Sequence, residues 1–512
     1  MFKAFLKRFI LVMLCVFVMV GMFSGCGKKA SDTSDEQIVD LDGLDTEVSG
    51  NDTSDGKGTD NSANNASGDK GTNTSKGKNG SQNTGDKITP VKLGSINLKG
   101  RKVVVYDHNR IATGLTKDNT SQIGKRLQER IAAIEKKYNC KWEWCTASYD
   151  TMTASIASGK PVVDIMDIGG PHQLPNFYSS GFLNPLEKYP DSLNFSDSKW
   201  YATTTNGAAI SGKHYALYYK PEGIDSIGDY QLFYFNKTLL EKCGVNVDEM
   251  YASQENGSWN WEAFEKVCAK VKSAGYTPVV DTSVDLYSAM LIANDAQIIT
   301  KSGASVANSK FTADSTSGKA ALDKYLNWYK KGYISINSSA DIDKTNFIKG
   351  NVGFIVDYVN RIYAADGGYS TMNNVYGFIT IPQGPNGKKD IAVKNWFFGL
   401  TIPVGVKDEA VIADILSTYC EPLLSSNENA TLKTAQFSRY TKDSGSLSTL
   451  RSLSSKAVFT PHAYFTNVTS GDKGWLTYYV PQIISGKKTP GAAFSEVKTM
   501  YEKSIADMFK KK

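Results

Sequence analysis

From residue 96 onward, short apolar runs alternate with amphipathic stretches, and the pattern opens as strand, helix, strand. Lys102-Val103-Val104-Val105-Tyr106 has the composition of a buried strand. Ile123, Leu127, Ile131, Ile134 and Tyr138 follow at spacings of four, four, three and four, which places them on one face of a helix. Cys140, Trp142 and Trp144 alternate with polar neighbours as a second strand, 161–166 is a third apolar run, and 183–189 closes the unit. Strands alternating with helices predict an α/β fold whose mainly parallel sheet is covered on both faces. Such sheets take ligands beyond the carboxyl ends of their strands. That rule nominates Tyr106, Asp107, His108 and Asn109 after the first strand, and the DIGGPH segment from Asp167 to His172 after the third. Gly169-Gly170 permits close approach of backbone to a ligand, or serves only as a turn.

Helices then become longer. SWNWEAFEKVCAKVK offers Asn260 as N-cap and Glu262 in the first turn, with Trp261, Phe264, Val267, Cys268 and Val271 facing inward. GKAALDKYLNWYKKG carries Leu322, Tyr325, Leu326 and Tyr329 at helical spacing and stops at Gly332. DEAVIADILSTYC and the terminal GAAFSEVKTMYEKSIADMFKKK are further amphipathic helices. Strand-like runs lie between them at 230–235, 352–356, 375–381 and 397–403. Sheet signals that return after a helical stretch predict a chain that crosses to a second lobe and comes back.

The first 26 residues have a different character. Lys3, Lys7 and Arg8 precede an apolar run from Phe9 to Phe23 that is too short to span a bilayer comfortably, and Ser24-Gly25 admits a peptidase, so the segment reads as an export signal. Its end, Phe23-Ser24-Gly25-Cys26, resembles the lipobox of bacterial lipoprotein precursors. The resemblance implies a signal peptide over 1–25 and a lipidated Cys26 as a long-lived membrane anchor. From 27 to about 94 the chain is Ser, Thr, Asn, Asp, Gly and Lys, with too little apolar surface to offset the entropy of ordering. It reads as a tether with an end-to-end distance of about 45 Å. Asp40-Leu41-Asp42-Gly43-Leu44-Asp45 is a solvated acidic patch: its glycine is misplaced for an EF-hand and no glutamate closes the loop.

Charge and cysteine content narrow the function classes. The net charge of +6 falls to +3 when Lys3, Lys7 and Arg8 leave with the signal, and the remaining cations are scattered, which leaves no nucleic-acid footprint. Beyond Cys15 and Cys26, the cysteines at 140, 145, 243, 268 and 420 have neither metal-ligand spacing nor a disulfide pattern, and Cys140 and Cys145 sit at opposite ends of one strand. Only four histidines exist, His108, His172, His214 and His462, and the chain has no G-x-S-x-G, H-E-x-x-H or Walker loop. No cofactor is implied. A glycosidase's two acids need not be close in sequence, so a surface-anchored glycan hydrolase stands as the rival from another class.

One resemblance is specific in its order. GKPVVDIMDIGGPHQLPNFYSSGFLNPLEKY, GKHYALYYK, LFYFNKTLLEKCGV and SWNWEAFEKVCAKVK, followed by FIKGNVGFIVDY, YGFITIPQGPNGK and GLTIPVGVKDEAVIADILSTY, resemble the extracellular solute-binding proteins of bacterial ABC importers, in the branch that includes the maltodextrin-binding proteins. The likeness covers nearly everything from residue 96. Asn351-Val352-Gly353-Phe354 departs from the family's small residues followed by methionine.

The resemblance implies a two-lobed periplasmic-binding-protein-like fold with an interlobe ligand cleft and hinge. Residues 96–217 and 382–424 would form the first lobe and 218–381 the second, with helices in 425–512 completing both. It further implies a monomeric receptor at the extracellular face of the cell membrane that delivers a sugar or oligosaccharide to an ABC permease, without catalysis. A receptor feeding a sensor kinase is the variant of that role. Sugar sites want flat aromatic platforms and outward-bonding carboxylates. Tyr106, Tyr287, Tyr358, Trp396 and Trp475 are the candidate platforms, and Asp107, His108, Asp167 and Asp357 the candidate polar grip, beside Gly169 and Gly170. Trp396 in KNWFFGLTIP is the first choice, because that segment matches one that re-enters the first lobe beside the cleft. His172 reads as a solvated loop residue.

Overall fold

In the computed structural model, the described residues are 88–112, 114–115, 119–168, 171–363, 368–388, 399–453, 458 and 460–510. The export signal, Cys26, the tether, Gly169, Gly170 and Trp396 lie outside them.

Eleven strands are found among these residues: β1 (Arg101–Tyr106), β2 (Cys140–Trp144), β3 (Ile165–Asp167), β4 (Gln231–Asn236), β5 (Thr277–Val280), β6 (Ile299–Ser302), β7 (Ser305–Phe311), β8 (Ile334–Ser335), β9 (Val352–Tyr358), β10 (Tyr376–Ile379) and β11 (Leu400–Thr401). They form a four-stranded sheet in the order β11-β3-β1-β2, a five-stranded sheet in the order β10-β4-β9-β5-β8, and the hairpin β6-β7.

The first sheet follows the expected strand-helix-strand course. β2, β1 and β3 are parallel, and β11 returns antiparallel beside β3, pairing Leu400 with Asp167. The Gln122–Tyr138 helix starts where the Ser121 side chain accepts from the Gly124 N–H and ends at Asn139 in the left-handed region. Leu127, Ile134 and Tyr138 are buried, and Ile123 and Ile131 pack half-buried on the same core.

Two expectations in this region are corrected. The third strand is not 161–166 but Ile165–Asp167. Asp164 ends the ladder on its amino side, because its carboxylate accepts from the Val104 N–H at 2.9 Å and pairs with Arg101, and Val162 is left exposed. The segment 183–189 supplies only an isolated bridge from Leu183 to Pro403 and a 3-10 turn at Leu186–Lys188.

The second sheet is mixed: β9, β5 and β8 are parallel, and β4 runs antiparallel to both β9 and β10. Every residue of β4 is buried, which is why that run is apolar without alternation. In the Trp261–Ser273 helix, Asn260 accepts from the Glu262 and Ala263 N–H groups, and the five expected inward residues are all buried. The Thr316–Lys330 helix buries Leu322 and Tyr325 as expected, but Trp328 occupies the centre of its face, while Leu326 and Tyr329 lie at the margin. Trp328 is tied there by its indole N–H, which donates to Glu265 at 2.8 Å.

A length sufficient for two domains suggests separate cores, yet the largest apolar cluster is shared. It runs from Met152, Met166 and Phe177 through Tyr218 to Phe233, Phe264 and Phe354, and includes Trp475, Phe494, Tyr501 and Phe509. The Pro490–Met508 helix is the joint: it lies along β7, Phe494 stacks on Trp475 at 4.9 Å, and Phe509, just past its end, meets Tyr178 at 6.1 Å. Separate clusters lie under the Gln122–Tyr138 and Glu409–Tyr419 helices and around Tyr234, Tyr369 and Phe378.

Candidate functional site

At the carboxyl end of the first sheet, β1 and β3 bring Tyr106, His108 and Asp167 together. Asp167 is fully buried, and its Oδ2 accepts the backbone N–H of His108 at 2.9 Å. Burial, and then the charge of Asp167, raise the titration of the Tyr106 and Tyr149 phenols. Tyr149 donates to the carbonyl of Ile168, next along the chain. Tyr218, whose titration is raised by burial and by Asp167, receives a hydrogen bond from the Tyr464 hydroxyl at 3.0 Å. One buried carboxyl group thus influences three phenols, Tyr106, Tyr149 and Tyr218, and of its neighbours here Tyr106 and His108 are half-buried.

At the carboxyl ends of β5 and β9 the second sheet gathers carboxylates. Asp281 accepts the Leu286 N–H at 3.1 Å and the Tyr325 hydroxyl at 2.8 Å. Asp343 accepts the Thr282 N–H at 2.8 Å and the Asn337 amide at 2.5 Å. Asp357 accepts the Tyr369 hydroxyl at 2.7 Å, the Tyr358 N–H at 2.8 Å and Arg361 Nε at 3.4 Å. Asp285, half-buried at the start of the Asp285–Ile292 helix, is bonded by Gln231, the β4 residue that pairs in register with Tyr358. Burial and the neighbouring acids lift its carboxyl to about 8, and burial lifts Asp281 to about 7. Asp281 and Asp343 are 4% exposed and committed to these internal bonds, so the members of the cluster that can meet a hydroxyl-rich molecule are the half-buried Asp285 and Asp357.

Three nominated residues are placed elsewhere. Asp107 is 1% exposed and points into the interior, where the hydroxyls of Tyr219 (3.0 Å) and Tyr419 (2.9 Å) donate to it and Arg110 stands 3.7 Å away. Its oxygens are committed to an internal ion pair, which removes it from the polar grip. Tyr287 and Trp475 are both fully buried, the indole N–H donating to the phenol at 3.2 Å. They are core residues because the C-terminal helices close over them. Asp357 and Tyr358 stay together at the end of β9, half-buried. His172, expected to be solvated, is half-buried in the turn Pro171–Gln173, and burial lowers its imidazole.

Sequence reasoning missed Asp281, Asp285, Asp343 and Gln231. An acid at the carboxyl end of a strand, the signal that names Asp107 and Asp167, also describes Asp281 after TPVV. Among the described residues, no three His, Cys, Asp or Glu side chains are grouped to hold a metal ion, and no helix is long and apolar enough to cross a membrane.

Residues 117–413 match the family described as bacterial extracellular solute-binding protein. No curated protein matches the chain in sequence. Among solved structures, the GacH receptor of Streptomyces glaucescens, described unliganded and in complex with acarbose and an acarbose homolog, is similar at 17% identity and a TM-score of 0.52. The likeness covers 80% of this chain and 99% of that one. At that identity it speaks for the fold, a two-lobed α/β architecture of the periplasmic binding type. With the family match spanning more than half of its length, the chain belongs to the bacterial extracellular solute-binding proteins.

Proposed function

We propose that the protein is a lipid-anchored receptor that captures a sugar or oligosaccharide outside the cell and hands it to an ABC permease by closing its two lobes. The observation that carries the reading is that both sheets end in polar and aromatic groups at the carboxyl ends of their strands: Tyr106, His108 and Asp167 on one, and Asp285, Asp357 and Tyr358 on the other. Ligands of such sheets bind at these ends. The similar receptor named above is described with acarbose, which agrees with a carbohydrate-like solute. Trp396, Gly169 and Gly170 complete the site in this reading, with 96–217 and 382–424 as one lobe and 218–381 as the other. Closure follows from the solute's preference for the closed form, and a hinge provides it. Cys26, lipidated, keeps the receptor at the outer face of the membrane while the tether lets it reach the permease.

A thermal-shift panel of maltose, maltotriose and acarbose tests the reading on the purified mature chain. A solute at one hundred times its Kd stabilises by about 2.7 kcal/mol, and Trp396→Ala should abolish most of that gain without unfolding the protein. The same mixtures, sampled over hours for new reducing ends, address the hydrolase alternative. No shift with any sugar removes the carbohydrate class, and accumulating product removes the receptor role.

A further inference from the structure

The turn Pro461–Phe465 is buried at every position and contributes a histidine that the site does not use. It packs against Pro171–Gln173, the turn that follows β3 of the first sheet, and against β6, which is inserted between helices of the second half. The hairpin carrying β6 reaches back to the first half as well: Val306 N–H donates to the Ala209 carbonyl at 2.8 Å, and Gly212 N–H to the Ala304 carbonyl at 3.1 Å. The turn therefore sits in a seam between elements of the two halves. Tyr464 fastens one side of it, through its hydroxyl bond to Tyr218.

His462 is 8% exposed, and its Nδ1 has no hydrogen-bond partner among the described residues and no contact with solvent. The elements packed against it bring His172 on Pro171–Gln173, Lys301 on β6 and Tyr464 on its own turn; Tyr464 reaches Tyr218 and, through it, the field of Asp167, and Phe465 meets Phe509 at the end of the C-terminal helix. The adjoining Thr466–Thr469 helix carries no charged or titratable group. Lys301 is itself lowered by burial and donates to the Asn206 carbonyl at 2.6 Å. A proton on His462 would place a cation in a desolvated seam whose packed turns and strand carry no carboxylate.

We infer that the seam formed by the turns Pro461–Phe465 and Pro171–Gln173 is an acid-sensitive latch, closed only while His462 is uncharged. The inference concerns the joint between the halves and holds for any solute. Burial lowers the His462 imidazole to about 4 in the packed state, against about 6.5 in water. A group depressed in this way contributes its full packing stability above about 6.5, and loses it as pH falls toward 4. Between pH 7.5 and 5 the opening equilibrium of the seam rises about 30-fold. Acidification thereby loosens the joint and weakens the grip on whatever the lobes enclose.

Hydrogen exchange on the full mature chain tests this, with rates corrected for the pH dependence of intrinsic exchange. The amides of 463–465 should lose about 30-fold in protection from pH 7.5 to 5 in the wild type. They should lose far less in His462→Phe, whereas His172→Gln should respond as the wild type does. Equal pH profiles for wild type and His462→Phe would overturn the latch, as would a profile abolished by His172→Gln. If His462→Phe fails to fold, the wild-type imidazole C–H resonance decides: a midpoint well below 6 supports the latch, and one near 6.5 refutes it.

Discussion

Replacing Asp107 by asparagine separates a structural acid from a solute-binding one. Three stretches of chain converge on this carboxylate: the short helix His108–Ala112 after β1, which carries Arg110, the segment holding Tyr219, and the end of the Glu409–Tyr419 helix. The Arg110 guanidinium, 3% exposed, lies over the rings of Tyr219 (5.1 Å) and Tyr419 (4.9 Å), whose hydroxyls both donate to Asp107. Asparagine keeps the shape and an acceptor for the hydroxyls, but it takes away the nearer counter-charge of the buried cation and leaves it only the weaker influence of Glu222. Removing one partner of a buried pair costs about 3 to 5 kcal/mol, and the retained hydrogen bonds put Asp107→Asn near the lower end, about 3 kcal/mol. With an unfolding entropy of about 2.1 cal/mol/K per residue over about 400 described residues, that loss lowers Tm by about 3 to 4 °C. Differential scanning calorimetry measures the shift, and isothermal titration with the solute found by thermal shift measures affinity, which should be unchanged. A variant that melts with the wild type while losing its affinity would return Asp107 to the binding site and refute the account of the ion pair.

Two further outcomes follow from the same geometry. Asp285 titrates near 8 in the folded chain, well above its ordinary value, so folding favours its protonated form and stability falls as pH rises from about 4 through 8. Asp285→Asn should match the wild type in urea unfolding at about pH 4 and exceed it at pH 8.5, by about 2 kcal/mol once its partial solvent contact is discounted; equal stabilities at both pH values would count against the carboxylate cluster. Trp475→Phe removes the donor to Tyr287 and leaves a buried hydroxyl unmatched, which should cost about 2 kcal/mol in the same assay and leave solute affinity intact. A loss of affinity without a loss of stability would put Trp475 back among the ligand platforms.

Local rules carried far in this chain because many of its decisions are local. The helix at 261–273 was legible to its cap, since Asn260 answers orphan N–H groups two and three residues away, and the inward face follows from a period of 3.6. The parallel arrangement of the first sheet was equally legible, because helices interposed between strands leave few other connections. The order of family segments along the chain pointed to the solute-binding architecture that the match over 117–413 bears out.

Side-chain destinations were a different matter. Asp107 follows β1 and Asp167 ends β3, and nothing in their neighbours says that one turns inward to Arg110 and the other to the β1–β3 edge; partners at 219, 419 and 218 decide it. Tyr287 and Trp475, 188 residues apart, became a buried pair only because the C-terminal helices close over β7. The carboxyls at 281 and 285 acquire raised titration through burial and the acids beside them, which are properties of the assembled second sheet. Sequence alone determined where elements begin, end and alternate, because capping and periodicity act over a few residues. Tertiary structure decided which polar groups face inward and which share a field, because desolvation and Coulomb terms depend on distances in space.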